Sequence, residues 1–263
     1  MQYFDASTRA DEVVPVDLIA AVVDRLMPHV DGLVLIGAVA RDLLGAIAGD
    51  LPVQRATHDL DVAVAVRTMG QYRTASATID PTGREPHFQL GGTQVDIVPF
   101  GAVATDSHVL FDNDFRLDVT GLADALASPV TVRLRPEVVV PVASLAAQSV
   151  LKLLAWRDRR FDTHARDAVD LGVLLEASSS GEYADGVWAD EHALAACDFD
   201  FFSAGAFRLG RQAREGMSAP TLQAVVDLTA DESSMWSLAR DVGGIRSLRA
   251  NMLAAYRRGL AAS

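Results

Sequence analysis

One lysine, one cysteine and no long apolar run set the outer limits of what this 263-residue chain can be. A lone thiol, Cys197, has no partner in the chain for a disulfide and lacks the company of ligands that a zinc site needs, which fits a reducing compartment. No stretch approaches the roughly 18 to 20 consecutive apolar residues required to cross a bilayer. The opening MQYFDASTRADEVV is acidic and polar, unlike a secretory signal, so a cytoplasmic protein with no membrane attachment is expected. Positive charge is also scarce: 23 Lys and Arg against 35 Asp and Glu leave a formal charge of -12. That argues against nonspecific coating of nucleic acid by a broad basic surface, while a structured RNA on a local basic patch stays open. Twenty-two of the basic residues are arginine, a bias that matches GC-rich coding, and Lys152 is the single lysine left to be explained.

What is present is a folded chain. Half of the residues are hydrophobic, enough for one large domain or two packed ones. Helical periodicity opens at VDLIAAVVDRLMPHV, residues 16 to 30, followed by GLVLIG as a buried strand ending in Gly37. AVARDLLGAIAG then reads as a helix, so a backbone turn with free N–H groups stands at its start and favours a bound anion. RATHDLDVAVAV, PHFQLGG and TQVDIVPFG read as strands, the last two joined by a Gly-Gly hairpin turn, and PVTVRLRPEVVVPVA adds further β alternation. From Ser144 the pattern is helical, through SLAAQSVLKLLAWRDRR and THARDAVDLGVLLEA to IRSLRANMLAAYRRGL, and the polar EASSSGEYADG is the best internal boundary. The expected architecture is α+β: a mixed sheet with flanking helices over residues 1–142, then a helical C-terminal domain over 143–263.

Strand alternation gives the acids their meaning. Asp59, Asp61, Ala63 and Ala65 share one face of their strand, while Leu60, Val62, Val64 and Val66 form an ordinary core face. Two carboxylates held together repel, and a hard divalent cation removes the conflict; magnesium is commonly held by one or two carboxylates and substrate phosphates. The plain alternative is a turn cap at Asp59, after Thr57, with an arginine on Asp61. Asp96, a lone acid between Val95 and Ile97 in a second strand, either lies on an exposed edge or points into a site. Three strand-borne acids can hold two metal ions for in-line displacement at phosphorus.

LIGAVARDLL, RATHDLDVAV, VDIVPFG and AAQSVLKLLAWRDRRFDTHARDAVDLGVLL, in that order and spacing, resemble the nucleotidyltransferase superfamily of DNA polymerase β-like fold, in the branch classed with AbiEii/AbiGii toxins. The resemblance covers roughly residues 30 to 176. It implies a polymerase β-like catalytic fold in which Gly37 receives the nucleoside triphosphate, Asp59 and Asp61 bind Mg2+, and Asp96 completes the metal site and helps activate the acceptor hydroxyl. It also implies that Lys152 lies near the triphosphate. Where many members carry serine, this chain has Ala38, so phosphate contact rests on the backbone amides, with Arg41 as the side chain to assist. Arg41 reads equally well as a solvated residue paired with Asp42 or Asp50. Arg55 and Thr57 either touch phosphate or order the loop before the acids.

On its helix Lys152 lies beside the apolar stripe of Leu145, Val150, Leu151 and Leu154, where a lysine usually snorkels to solvent. A point-charge ammonium suits a phosphate, which favours the functional role. Asp167 and Asp170, three apart on one helix face, either position Lys152 or an arginine of the preceding helix, or pair with Arg157, Arg160 or Arg166. His87 either lines the acceptor side or is a satisfied structural histidine. The resemblance implies a Mg2+-dependent transfer of NMP from an NTP to an acceptor hydroxyl, on a tRNA 3′ end or a protein, with a toxin-like role and an antitoxin partner. The alternatives are transfer to a small cationic acceptor of aminoglycoside type, or an inactive nucleotide-binding or interaction module.

Overall fold

Burial on alternate residues in Leu60, Val62, Val64 and Val66 fixes the register of the central strand and, through it, of a mixed sheet. Each such side chain contributes about 1.5–3 kcal/mol on leaving water, and a one-residue slip would turn all of them outward. The computed structural model describes residues 2–49, 59–112, 114–162 and 165–262. The chain forms two compact units, Met1–Leu43 with Val53–Ser144, and Leu44–Pro52 with Leu145–Ser263.

In chain order, the elements up to Ala143 are β1 (Tyr3–Asp5), α1 (Ala10–Val13), α2 (Val16–Leu26), β2 (Gly32–Leu35), α3 (Gly37–Ile47), β3 (Asp59–Val66), α4 (Met69–Ser76), β4 (Asp80–Arg84), β5 (His87–Leu90), β6 (Thr93–Gly101), β7 (His108–Leu110), β8 (Arg116–Asp118), α5 (Leu122–Ala127), β9 (Pro129–Arg135) and β10 (Val138–Ala143). Eight strands form one sheet in the order β1-β9-β10-β2-β3-β6-β5-β4, and β7 and β8 pair separately. β2 runs antiparallel to β3, whereas β3 and β6 are parallel, so the sheet is mixed. The expected Gly-Gly hairpin joins β5 to β6, with Gly91 and Gly92 at φ of 60° and 83°, the left-handed pair that a tight hairpin turn requires. The strand GLVLIG stops earlier than expected, at Leu35, because Gly37 already begins α3.

The second unit is helical, as expected, with α6 (Leu145–Arg159), α7 (Arg166–Ala177), α8 (Ala184–Trp188), α9 (Glu191–Ala196), α10 (Phe201–Gly216), α11 (Ala219–Ala230), α12 (Glu232–Asp241) and α13 (Arg246–Ala261). The polar EASSSGEYADG lies inside this unit, running from the end of α7 into α8, and does not divide the chain. α10 and α13 pack at glycine contacts: a Cβ on Gly210 would stand 2.2 Å from the Tyr256 carbonyl oxygen, and one on Gly259 2.0 Å from that of Phe207. Buried Arg249 ties α13 to α7 through two bonds to Glu176, at 2.8 and 3.0 Å.

Candidate active site

The pairing of β3 with β6 assembles the acids. In the parallel register Asp61 stands opposite Asp96 and Asp59 opposite Gln94, so these four side chains share one face. Val95 and Ile97 on the other face of β6 are fully buried, and β6 lies between β3 and β5. Asp96 is therefore on an interior strand, its side chain 15% exposed. One ligand oxygen from each of Asp59, Asp61 and Asp96 lies within 4.8 Å of the others. Oxygens around a single magnesium stand about 3 to 4.2 Å apart, from its 2.0–2.1 Å bond lengths, so small rotamer adjustments fit this all-oxygen set to a hard divalent cation.

Asp96 is also held from its own side. His87, opposite Asp96 on β5, places Nδ1 2.7 Å from Asp96 Oδ1, and the Gln94 amide donates to the same oxygen at 2.9 Å. Two donors on one oxygen fix the carboxylate's rotation, the arrangement by which outer groups orient metal-binding acids. Gln94 is legible in principle, since it is two residues before Asp96 and so on the same face. The contact of His87 follows from the Gly91–Gly92 turn, because a two-residue hairpin fixes the register that sets His87 opposite Asp96.

Gly37 closes the other side of the cluster. It adopts φ of +71° at the start of α3, and the Ile36 N–H donates to the Asp61 carbonyl at 3.1 Å. A Cβ on Gly37 would stand 1.9 Å from Asp61 Oδ2 and 2.7 Å from Asp61 Cβ. The strand–helix turn is thus pressed directly against a carboxylate of the cluster, with the N-terminal amides of an eleven-residue helix beside it. Ala38 follows and is buried.

The other sequence-derived residues are placed differently. Arg41 is not solvated: it is 1% exposed, and its Nε and Nη2 donate to Asp42 Oδ1 at 2.8 and 2.5 Å. Burial of a guanidinium requires such a partner, and Asp42 is its immediate neighbour in the chain. Arg55 and Thr57 lie outside the described residues.

Lys152, in the second unit, does not snorkel. It is 6% exposed, within the buried side of α6 that also carries Gln148, Leu153 and Trp156. Its Nζ lies 3.1 Å from Asp167 Oδ1 and 2.8 Å from Asp170 Oδ2. Arg159 adds bonds to both oxygens of Asp167, at 2.8 and 2.9 Å. Two of the three arginines expected as alternatives are engaged elsewhere: Arg157 pairs with Asp158, and Arg160 stacks over Trp156 and Phe161.

Burial alone would raise the Asp167 pKa, but the Arg159 hydrogen bonds and the Lys152 charge outweigh it and hold the carboxyl below the usual range. A folded pKa below the unfolded value of about 3.9 stabilises the fold above that value, and the contribution is lost as pH falls through the folded pKa. Urea-unfolding stability is therefore expected to drop on acidification from about pH 5, and Asp167→Asn to flatten that acid limb.

A mixed sheet that presents three strand-borne carboxylates beside a glycine turn and a helix N-terminus defines, with its helical second unit, an α+β nucleotidyl transferase. The chain belongs to the AbiEii toxin family: the family model described as "Nucleotidyl transferase AbiEii toxin, Type IV TA system" matches residues 24–231, a span that includes Gly37, all three acids and Lys152. No curated protein matches the chain.

Proposed function

We propose that the protein is a Mg2+-dependent nucleotidyltransferase that moves a nucleoside monophosphate from an NTP to an acceptor hydroxyl. The observation that carries this reading is the approach of Asp59, Asp61 and Asp96 oxygens to within 4.8 Å, with the Gly37 turn against Asp61. In the reaction the acceptor oxygen attacks the α-phosphorus, the bond to pyrophosphate breaks, and the acceptor hydroxyl gives its proton to Asp96 or to water. Divalent ions at such a site lower the pKa of the attacking hydroxyl and neutralise charge on the leaving group. Asp59 and Asp61 would hold the metal, with Asp96 completing the set, its Oδ1 fixed by His87 and Gln94. The amides after Gly37 are assigned to the triphosphate, a role that needs no hydroxyl at Ala38. Arg41 and Lys152, committed to buried carboxylates, are assigned to holding the scaffold.

A toxin-like role with an antitoxin in the same system follows from the family. A macromolecular acceptor, a tRNA 3′ end or a protein hydroxyl, is our reading of that role. The test is incubation of wild type and Asp61→Asn with each α-labelled NTP, magnesium, and either total tRNA or cell extract. Wild type is expected to label one acceptor class, EDTA to stop the reaction, and Asp61→Asn to lower the rate by on the order of 10³-fold, about 4 kcal/mol of transition-state stabilisation. Equal, background labelling by both proteins with every NTP and acceptor would sink the proposal.

A further inference from the structure

Away from the acid cluster, residues 181–202 of the second unit, GEYADGVWADEHALAACDFDFF, contain six carboxylates and neither lysine nor arginine. The same stretch exposes large aromatic rings in a chain only 6% aromatic. Trp188 is 64% exposed, Phe199 75% and Phe202 44%. Trp188 stacks on Phe201 with centroids 4.4 Å apart and planes inclined by 29°, and Phe202 meets Phe201 edge-on at 6.1 Å. Contact with Phe201 holds Trp188 and Phe202 in place, so a partner that binds them orders little that is not already ordered.

Phe199 is presented at a conformational cost. Asp198 and Phe199 are consecutive left-handed residues, with φ of 51° and 60°, between α9 and α10. Bulky residues rarely adopt this region, and glycine would take it without strain. The turn is fixed on both sides: the Phe199 N–H donates to the Leu194 carbonyl at 2.9 Å, and the Asp200 carboxylate caps α10 by accepting from the Ser203 N–H at 2.7 Å. Its effect is to display a phenyl ring to solvent.

The charge around the rings decides the kind of partner. Asp190 is already engaged by Arg211, with Arg208 3.7 Å away, and Arg258 bonds to the Ala196 carbonyl and the Cys197 sulfur. Glu182, Asp185, Glu191, Asp198 and Asp200 are exposed, and among the described residues none of them is ion-paired. Aromatic faces attract cations, and a carboxylate frame strengthens that preference while repelling nucleic acid and anionic lipid. We propose that this face, centred on Trp188, Phe199 and Phe202, docks an arginine- or lysine-rich segment of a partner protein.

The probe is a fluorescein-labelled decapeptide of alternating Arg and Ala, with a Glu–Ala decapeptide as its counterpart, titrated with the full chain at about 0.15 M salt and read by anisotropy. Wild type is expected to bind the Arg–Ala peptide and to ignore the Glu–Ala peptide. Phe199→Gly and Trp188→Ala, which keep every carboxylate, are each expected to weaken binding at least about fivefold. Phe199→Gly relieves the left-handed strain and is expected to raise Tm by about 1–3 °C, so weaker binding by that variant does not reflect unfolding. Unchanged affinity in both ring variants would reduce the attraction to net charge and overturn the proposal, as would failure of wild type to bind. Sedimentation showing a wild-type dimer that Phe199→Gly makes monomeric would overturn it in favour of a second copy of the chain.

Discussion

Gly37→Ala is expected to abolish nucleotidyl transfer and to destabilise the protein, although it adds a single methyl group. Two independent terms act at this position. At φ of +71° an L-residue pays about 1–2 kcal/mol for the left-handed region. The new Cβ would also stand 1.9 Å from Asp61 Oδ2, 2.6 Å from its Cγ and 2.7 Å from its Cβ, so either Asp61 leaves the cluster or α3 moves off the sheet. Together these amount to on the order of 2–4 kcal/mol. Gly83→Ala separates the terms, because Gly83 has φ of +78° and no atom within 4 Å of the place its methyl group would take. It should lower stability by only about 1 kcal/mol and leave transfer intact. Label transfer and urea unfolding of both variants provide the check, and an active Gly37→Ala would show that the turn does not need to touch Asp61.

Lys152→Met is expected to cost about 3–5 kcal/mol of folding stability, far more than loss of a surface lysine. The substitution keeps the aliphatic volume and removes the cation from between Asp167 and Asp170, both 2% exposed. Arg159 still serves Asp167, while Asp170 loses the ammonium 2.8 Å away. Lys152→Met with Asp170→Asn is therefore expected to recover part of the loss, and a double-mutant cycle by urea unfolding gives the coupling directly. A single-mutant loss below about 0.5 kcal/mol would mean that the pair lies in a wetter environment than the burial of its members indicates.

Much of this is legible in local pattern. Alternation in DLDVAVAV separates a core face from an acidic one without reference to the fold, and the Gly-Gly step announces the β5–β6 hairpin. Helical spacing finds α2, α3, α6 and α7. Local pattern does not carry the parallel pairing that sets Asp61 opposite Asp96, because strand partners distant in sequence are chosen by the whole sheet. Among the open readings, a solvated Arg41 and a snorkelling Lys152 are both set aside by the fold, and for one reason. Charge is a good guide to exposure only when no counter-charge is supplied in the interior, and Asp42, Asp167 and Asp170 supply it. Short elements such as α4 and β7 lack enough turns or residues to show a period.

The burial of Lys152 has a practical corollary for anyone handling the protein. Apart from the α-amino group, this chain holds one primary amine, and the fold keeps it 7% exposed between two carboxylates. Amine-directed reagents therefore find almost nothing to react with on the native surface, and any acylation at Lys152 must wait until α6 and α7 come apart. The rate of that labelling is a clock for opening of the helical unit, with a reporter group already built into the sequence.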